Sequence, residues 1–463
     1  MDGSQPKNPY LAGNFAPVAD ELDTDLVVAG ELPRGLRGVF YRNGPNPQFE
    51  PRGAYHWFAG DGMVHAIRVG EGRVHYRNRY VRTPKWSLEH AAGRALFGGF
   101  DPMAADPSVA NEDGGVANTN IVWHAGRLMA LEEAHPPFAL DPDTLDPLGY
   151  CNAYRGRVTA HPKVDPASGE MLWFAYSVGR RPFSNTVSFG VTAADGRVTR
   201  RDDFEAPFSS MVHDFLVTGR HVLFPILPLT GSLERVMAGG PAFAWEPEKG
   251  SHVGVMARDG GVETMRWFTT DAVYVFHPMN AWEDGERIVA DVMEYPSAPL
   301  FPNADGSPGE NAAARLVRWT FDLAGASDTI KREPLDDLSG EFPRFDERRA
   351  GLAYRHGWFA ASESRPGVIR FDCLAHIDHT TGKRAVWRGD GGASPCEPVF
   401  VPRAPDAAEG DGWIVTLVYR PLEDASDFVV FDALDIAAGP IATARLPRRV
   451  PFGFHGNWRP LPA

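Results

Sequence analysis

The sequence predicts an all-β protein closed into a β-propeller. Short runs rich in Val, Ile, Phe, Tyr and Trp alternate with Gly, Asp and Asn turns along most of the 463 residues. No break in composition or linker-like stretch divides the chain, and the 48 Gly and 40 Pro are dispersed rather than clustered, as many short turns require. A propeller accommodates such a length in one domain, 1–463, and leaves few free sheet edges. Two β-sandwiches are the alternative, and nothing in the sequence marks a boundary between them.

The hairpins are legible one by one. MVHAIRVGEGRVHYRNRYV (63–81), NIVWHAGRLMAL (120–131) and KVDPASGEMLWFAYSV (163–178) each place two apolar segments around a turn. The pattern continues through SFGVTAADGRVTRRDDF (188–204), HVGVMARDGGVETMRWF (252–268), NAWEDGERIVADVMEY (280–295) and CLAHIDHTTGKRAVWRG (373–389). Helical periodicity is confined to 86–100 and 231–238. Residues 1–20 form an N-terminal extension without the basic stretch and apolar core of a secretory signal.

Composition narrows the function. A protein 43% hydrophobic and 23% charged folds around a large core. Its net charge of −14 disfavours nucleic acid, which needs a basic face. Cys151, Cys373 and Cys396 have neither disulfide-framework nor zinc spacing. No apolar run reaches the roughly 18 residues of a membrane span, so the expected location is the cytoplasm, with peripheral contact at the inner membrane left open.

No HExxH, GxSxG, P-loop or GxGxxG strand–helix unit is present. Among 15 histidines, four occupy similar settings near turns: His161 in TAHPKVDP, His213 in SSMVHDF, His277 in YVFHPMN and His455 in PFGFHGNW. His161 to His213 and His213 to His277 are each about one blade apart in sequence, and His277 to His455 about three. Equivalent positions on different blades converge on the propeller axis, where four imidazoles could hold one metal.

RNGPNP (42–47), FAGDGMVH (58–65), the four His segments, EFP (341–343) and CEPVFVPR (396–403) together resemble the carotenoid cleavage oxygenase family, whose members include stilbene and phenylpropenoid cleavers. The resemblance spans Asn8 to Pro460. It implies a seven-bladed propeller with a dome of loops and short helices, and one non-haem Fe(II) per molecule held by His161, His213, His277 and His455. It also implies that Glu133 supports His213, Glu341 supports His277 and Glu397 supports His455, leaving His161 without a carboxylate. An imidazole that donates its second N–H to a carboxylate is fixed in tautomer and aim and becomes a better donor. Four neutral ligands leave two positions on a six-coordinate ion, one of them for O2. The implied reaction is oxidative cleavage of a conjugated C=C to two carbonyl products, by a dioxetane or an epoxide-like route. A propeller that only binds ligands is the non-enzymatic alternative.

The implied substrate is a small apolar alkene in a tunnel, lined from motif position by Phe58, Phe100, Phe276 and Phe454, with WSLEHAAGRALFGGF as an apolar lip. The sequence also resembles the bacterial branch acting on phenolic stilbenes and phenylpropenoids, which carries a Lys before the first supporting Glu and a Tyr after LFG. Glu132 and Phe100 stand there instead. A carboxylate supplies no positive charge to a phenolate and Phe no hydrogen bond. The expectation is therefore a carotenoid or apocarotenoid, with a stilbene or phenylpropenoid as the alternative.

Overall fold

The computed structural model describes residues 8–364 and 371–461; residues 1–7 of the expected N-terminal extension lie outside this range. Glycine at positive φ makes the predicted hairpins. Glu71 and Gly72 (φ 54° and 72°), and Ala125 and Gly126 (φ 50° and 75°), give two-residue turns whose twist matches the strands they join.

The strands assemble into seven blades. Gly38–Pro45, Gly62–Gly70 and Arg73–Tyr80 build the first, and Asn120–His124 through Pro147–Tyr150 the second. Lys163–Val164 through Val198–Glu205 form the third, and Leu216–Val217, His221–Ile226, Ser251–Ala257 and Arg266–Thr270 the fourth. The fifth and sixth share the long strand Lys331–Phe345. Its first part pairs with Arg315–Asp322, and Ser339–Phe345 leads the sixth blade against His356–Ser362. Val399–Pro402 through Ala442–Arg445 form the seventh.

Both ends of the protein close the ring. Gly456–Pro460 joins the first blade by pairing with Gly38–Arg42. Asp23–Gly30 straddles the seam, with Asp23–Leu26 on the first blade and Val27–Gly30 on the seventh. The strand leading each blade touches its counterpart in the next blade at several points around the ring, which places these strands at the axis.

The core lies between blades. Met171 and Trp173 pack toward the second blade, whereas Leu172 and Phe174 of the same strand pack toward the fourth. Strands buried on both faces read as continuous apolar runs rather than as alternation.

The helical segments are shorter than the sequence predicts. Pro84–Ala92 is helical, with the Thr83 hydroxyl accepting the Trp86 N–H, and it stops at Gly93 in the left-handed region (φ 67°). Beyond it the Glu89 carboxylate accepts the N–H groups of Leu96 and Phe97 at 2.8 and 3.0 Å, folding 94–100 back as a loop. The second helix covers only Leu233–Met237. With neighbouring loops, these segments form the dome. Within the described part of the extension, Phe15 packs edge-on against Trp57 at 5.1 Å, under the dome.

Trp173 is fully buried where the second and third blades meet. Trp173→Ala should cost about 3–5 kcal/mol and lower the midpoint of thermal unfolding, whereas Val27→Ala, at an 81% exposed position, should leave it unchanged.

Candidate metal centre and substrate cavity

Each blade delivers one residue toward the axis. The second gives Glu133, the third His161, the fourth His213, the fifth His277, the sixth Glu341, the seventh Glu397, and the C-terminal strand that completes the first follows His455. All seven are buried or nearly so. Two bulges aim key side chains: the register slips between Val275 and Pro278, around His277, and between Glu341 and Arg344. Within the second bulge Phe342 adopts φ 54°, a costly conformation for a bulky residue. Its ring packs against those of both His277 and His455, 5.3 Å from each.

The ligand atoms of His161, His213, His277 and His455 all lie within 4.8 Å of one another. His213 Nδ1 is 2.6 Å from Glu133 Oε1, His277 Nδ1 is 2.5 Å from Glu341 Oε2, and His455 Nδ1 is 2.9 Å from Glu397 Oε1. Among the described residues, His161 Nδ1 has only the Asp214 carboxylate nearby, at 3.7 Å. These contacts fix the tautomers. His277 and His455 donate Nδ1–H to their carboxylates and turn Nε2 inward, and the Nε2 atoms of His213 and His277 face each other at 3.2 Å. His161 Nε2 approaches His213 Nε2 equally closely. Four buried imidazole nitrogens converging within 4.8 Å form a donor set that fits a metal ion. Burial, then repulsion from the other three imidazoles, holds His161 well below the ordinary histidine range, in the neutral form that ligation needs.

Sequence reasoning did not find the groups behind the glutamates. The Tyr176 hydroxyl donates to Glu133 Oε2 at 2.6 Å. The backbone N–H of Phe342 donates to Glu341 Oε2 at 2.6 Å. Arg344 Nη1 lies 3.1 Å from Glu397 Oε1. Burial favours the neutral acid at Glu397, but Arg344 and His455 outweigh it and hold the carboxyl at about 2. Arg344 follows EFP directly, and this was the one available signal; Tyr176 had none, because its partner sits on another blade.

A cavity of about 910 Å³ opens onto His213, His277 and His455. Phe58, Phe100, Glu132, Phe276 and Phe454, the five substrate candidates, all line it. Phe58 and Phe454 meet edge to face at 5.4 Å, and Phe276 stands edge-on to the His213 ring at 5.0 Å. Phe100, 47% exposed, sits at the mouth. Glu132 Oε1 accepts the N–H groups of Val116 and Ala117 and lies 3.0 Å from His135 Nδ1. His135 also lines the cavity, and it too escaped sequence reasoning. Burial lowers its proton affinity, but Glu132 and Asp113 raise it above the ordinary histidine value. No helix among the described residues is long and apolar enough to cross a membrane.

The sequence model of the family described as retinal pigment epithelial membrane protein matches residues 15–460. Isoeugenol monooxygenase of Pseudomonas nitroreducens is 39% identical, and the match covers 98% of this protein and 98% of that one. A carotenoid cleavage oxygenase of Mycobacterium tuberculosis is 35% identical over 99% of this protein and 98% of its own length. The crystal structure of lignostilbene dioxygenase from Pseudomonas brassicacearum superposes with a TM-score of 0.93 at 36% identity, covering 98% of this protein and 99% of that one.

Replacing any one of the four histidines by Ala should abolish metal retention while the propeller still folds, measured as metal per molecule beside circular dichroism. Glu133→Gln, Glu341→Gln and Glu397→Gln should each weaken metal affinity or turnover by about 10–100-fold, because Gln keeps an acceptor oxygen but loses the charge.

Proposed function

The protein belongs to the retinal pigment epithelial membrane protein and carotenoid oxygenase family of alkene-cleaving oxygenases, and we propose that it cleaves the exocyclic C=C bond of a stilbene or phenylpropenoid to two carbonyl products. The observation that carries this reading is the four-imidazole cluster at the base of a cavity lined by aromatic rings, with the Glu132–His135 pair among the polar groups in its wall. Fe(II) on His161, His213, His277 and His455, with O2 as second substrate, would supply the oxidising chemistry. Similarity to isoeugenol monooxygenase and lignostilbene dioxygenase supports this class over the carotenoids that Glu132 and Phe100 led us to expect.

The residues have distinct tasks in this reaction. Phe58, Phe276 and Phe454 exclude water and offer ring edges to a flat conjugated substrate. Glu133, Glu341 and Glu397 hold three imidazoles in one tautomer and one orientation. At the Lys position of the phenol-cleaving branch, Glu132 accepts a hydrogen bond from an un-ionised aryl hydroxyl, and His135 beside it supplies the donor that Glu132 alone lacks.

An apocarotenoid is the second reading. A cavity of about 910 Å³ exceeds what a single aryl ring and short side arm fill, and exposed Phe100 and Met103 give its mouth an apolar rim.

In an aerobic panel with carbonyl products identified by mass, isoeugenol or resveratrol should show a higher kcat/KM than apocarotenals. Methylating the 4-hydroxyl should lower kcat/KM about tenfold, the worth of one hydrogen bond to a charged group, and Glu132→Gln should reduce that discrimination. Preferential cleavage of apocarotenals, with no effect of methylation, would establish the second reading.

A further inference from the structure

We propose that Arg344 keeps the metal of this centre in its divalent state, an inference that rests on the reading that the four histidines bind iron. Fixed charges around the imidazoles lead to it. Glu133, Glu341 and Glu397 each contact one imidazole. Arg344 Nη1 stands 3.1 Å from Glu397 Oε1, the same oxygen that receives the His455 N–H. A guanidinium stays protonated inside a protein. Asp214, 3.7 Å from His161, is matched by Lys163 at 2.8 Å and adds no net charge. Counting the carboxylates in contact with the imidazoles and Arg344, three negative charges and one positive remain, so a divalent ion neutralises this set and a trivalent ion leaves one positive charge over.

That residual charge is costly because the groups that set it are buried. The Arg344 side chain is 12% exposed. It donates to the Gly456 carbonyl and to Asn457 Oδ1, both at 3.0 Å, which fixes the guanidinium against the strand that follows His455. Its other carboxylate partner, Glu347, is 61% exposed and screened by water. Unbalanced charge in a low-dielectric interior is expensive. One bulge delivers both signs: between Glu341 and Arg344 the register slips, so that Glu341 reaches His277 and Arg344 reaches Glu397.

The consequence is resistance to a side reaction. In air without substrate, a ferrous ion can lose one electron to O2, giving ferric ion and superoxide. Arg344 disfavours that loss by placing positive charge beside the centre. It is a positioning residue, acting through Glu397 and touching no reactant.

The test uses iron-loaded wild type, Arg344→Met, Arg344→Lys and Glu397→Gln. Iron per molecule, circular dichroism, midpoint potential and the ferric electron paramagnetic resonance signal after air exposure are recorded for each. Arg344→Met should lower the potential and accumulate the ferric signal on the order of tenfold faster. Arg344→Lys should stay near wild type. Glu397→Gln removes a negative charge and should shift the potential upward, so the proposal remains testable where Arg344→Met does not fold. Unchanged potentials in iron-bearing variants, or equal shifts in Arg344→Met and Arg344→Lys, would overturn this role while leaving the proposed function intact. Wild type that takes up no iron would overturn both.

Discussion

Four imidazoles turned toward one another inside a buried pocket need a cation or a proton between their nitrogens, and the architecture of this protein is organised around holding them there. The nitrogens of His213 meet those of His161 and His277 at 3.2 Å, a spacing that a shared proton or a bound cation satisfies. No single blade could enforce such an arrangement. Four blades each bring one imidazole and the other three bring one carboxylate each, so ring closure and site assembly are one event. The pairing of Gly456–Pro460 with Gly38–Arg42 therefore has chemical weight: it closes the propeller and carries His455 into place beside Glu397.

The carboxylates would be as costly as the crowded imidazoles if left uncompensated. Each has a second partner that fixes it, and the three partners differ: the Tyr176 hydroxyl for Glu133, the Phe342 backbone for Glu341, and the Arg344 guanidinium for Glu397. The ligands are consequently unequal. His213 and His277 face carboxylates with no cation in contact, His455 faces one matched by Arg344, and His161 has none within hydrogen-bond reach.

Local signals made much of this legible in the sequence. Turns such as Glu71–Gly72 need left-handed backbone and announce themselves through glycine, and the four histidines stand at blade-sized intervals beside strands that lead blades. Groups recruited across blades were not legible. Tyr176 acquires its role only when the ring sets it against Glu133 of the neighbouring blade. The helix expected over 86–100 ends early because Gly93 caps it and Glu89 folds the following loop back, a tertiary effect that periodicity does not register. The substrate expectation weighed Glu132 as an isolated charge, whereas His135, three residues on, stands 3.0 Å away as its complement.

Fe K-edge X-ray absorption of protein purified and reconstituted without oxygen tests the central claim most directly. The expected result is one ferrous ion per molecule with four nitrogen ligands, and no such bound ion when any one of His161, His213, His277 or His455 is replaced. An ion bound with carboxylate or thiolate in its inner shell, or the same four-nitrogen spectrum after one of these histidines has been removed, would contradict it.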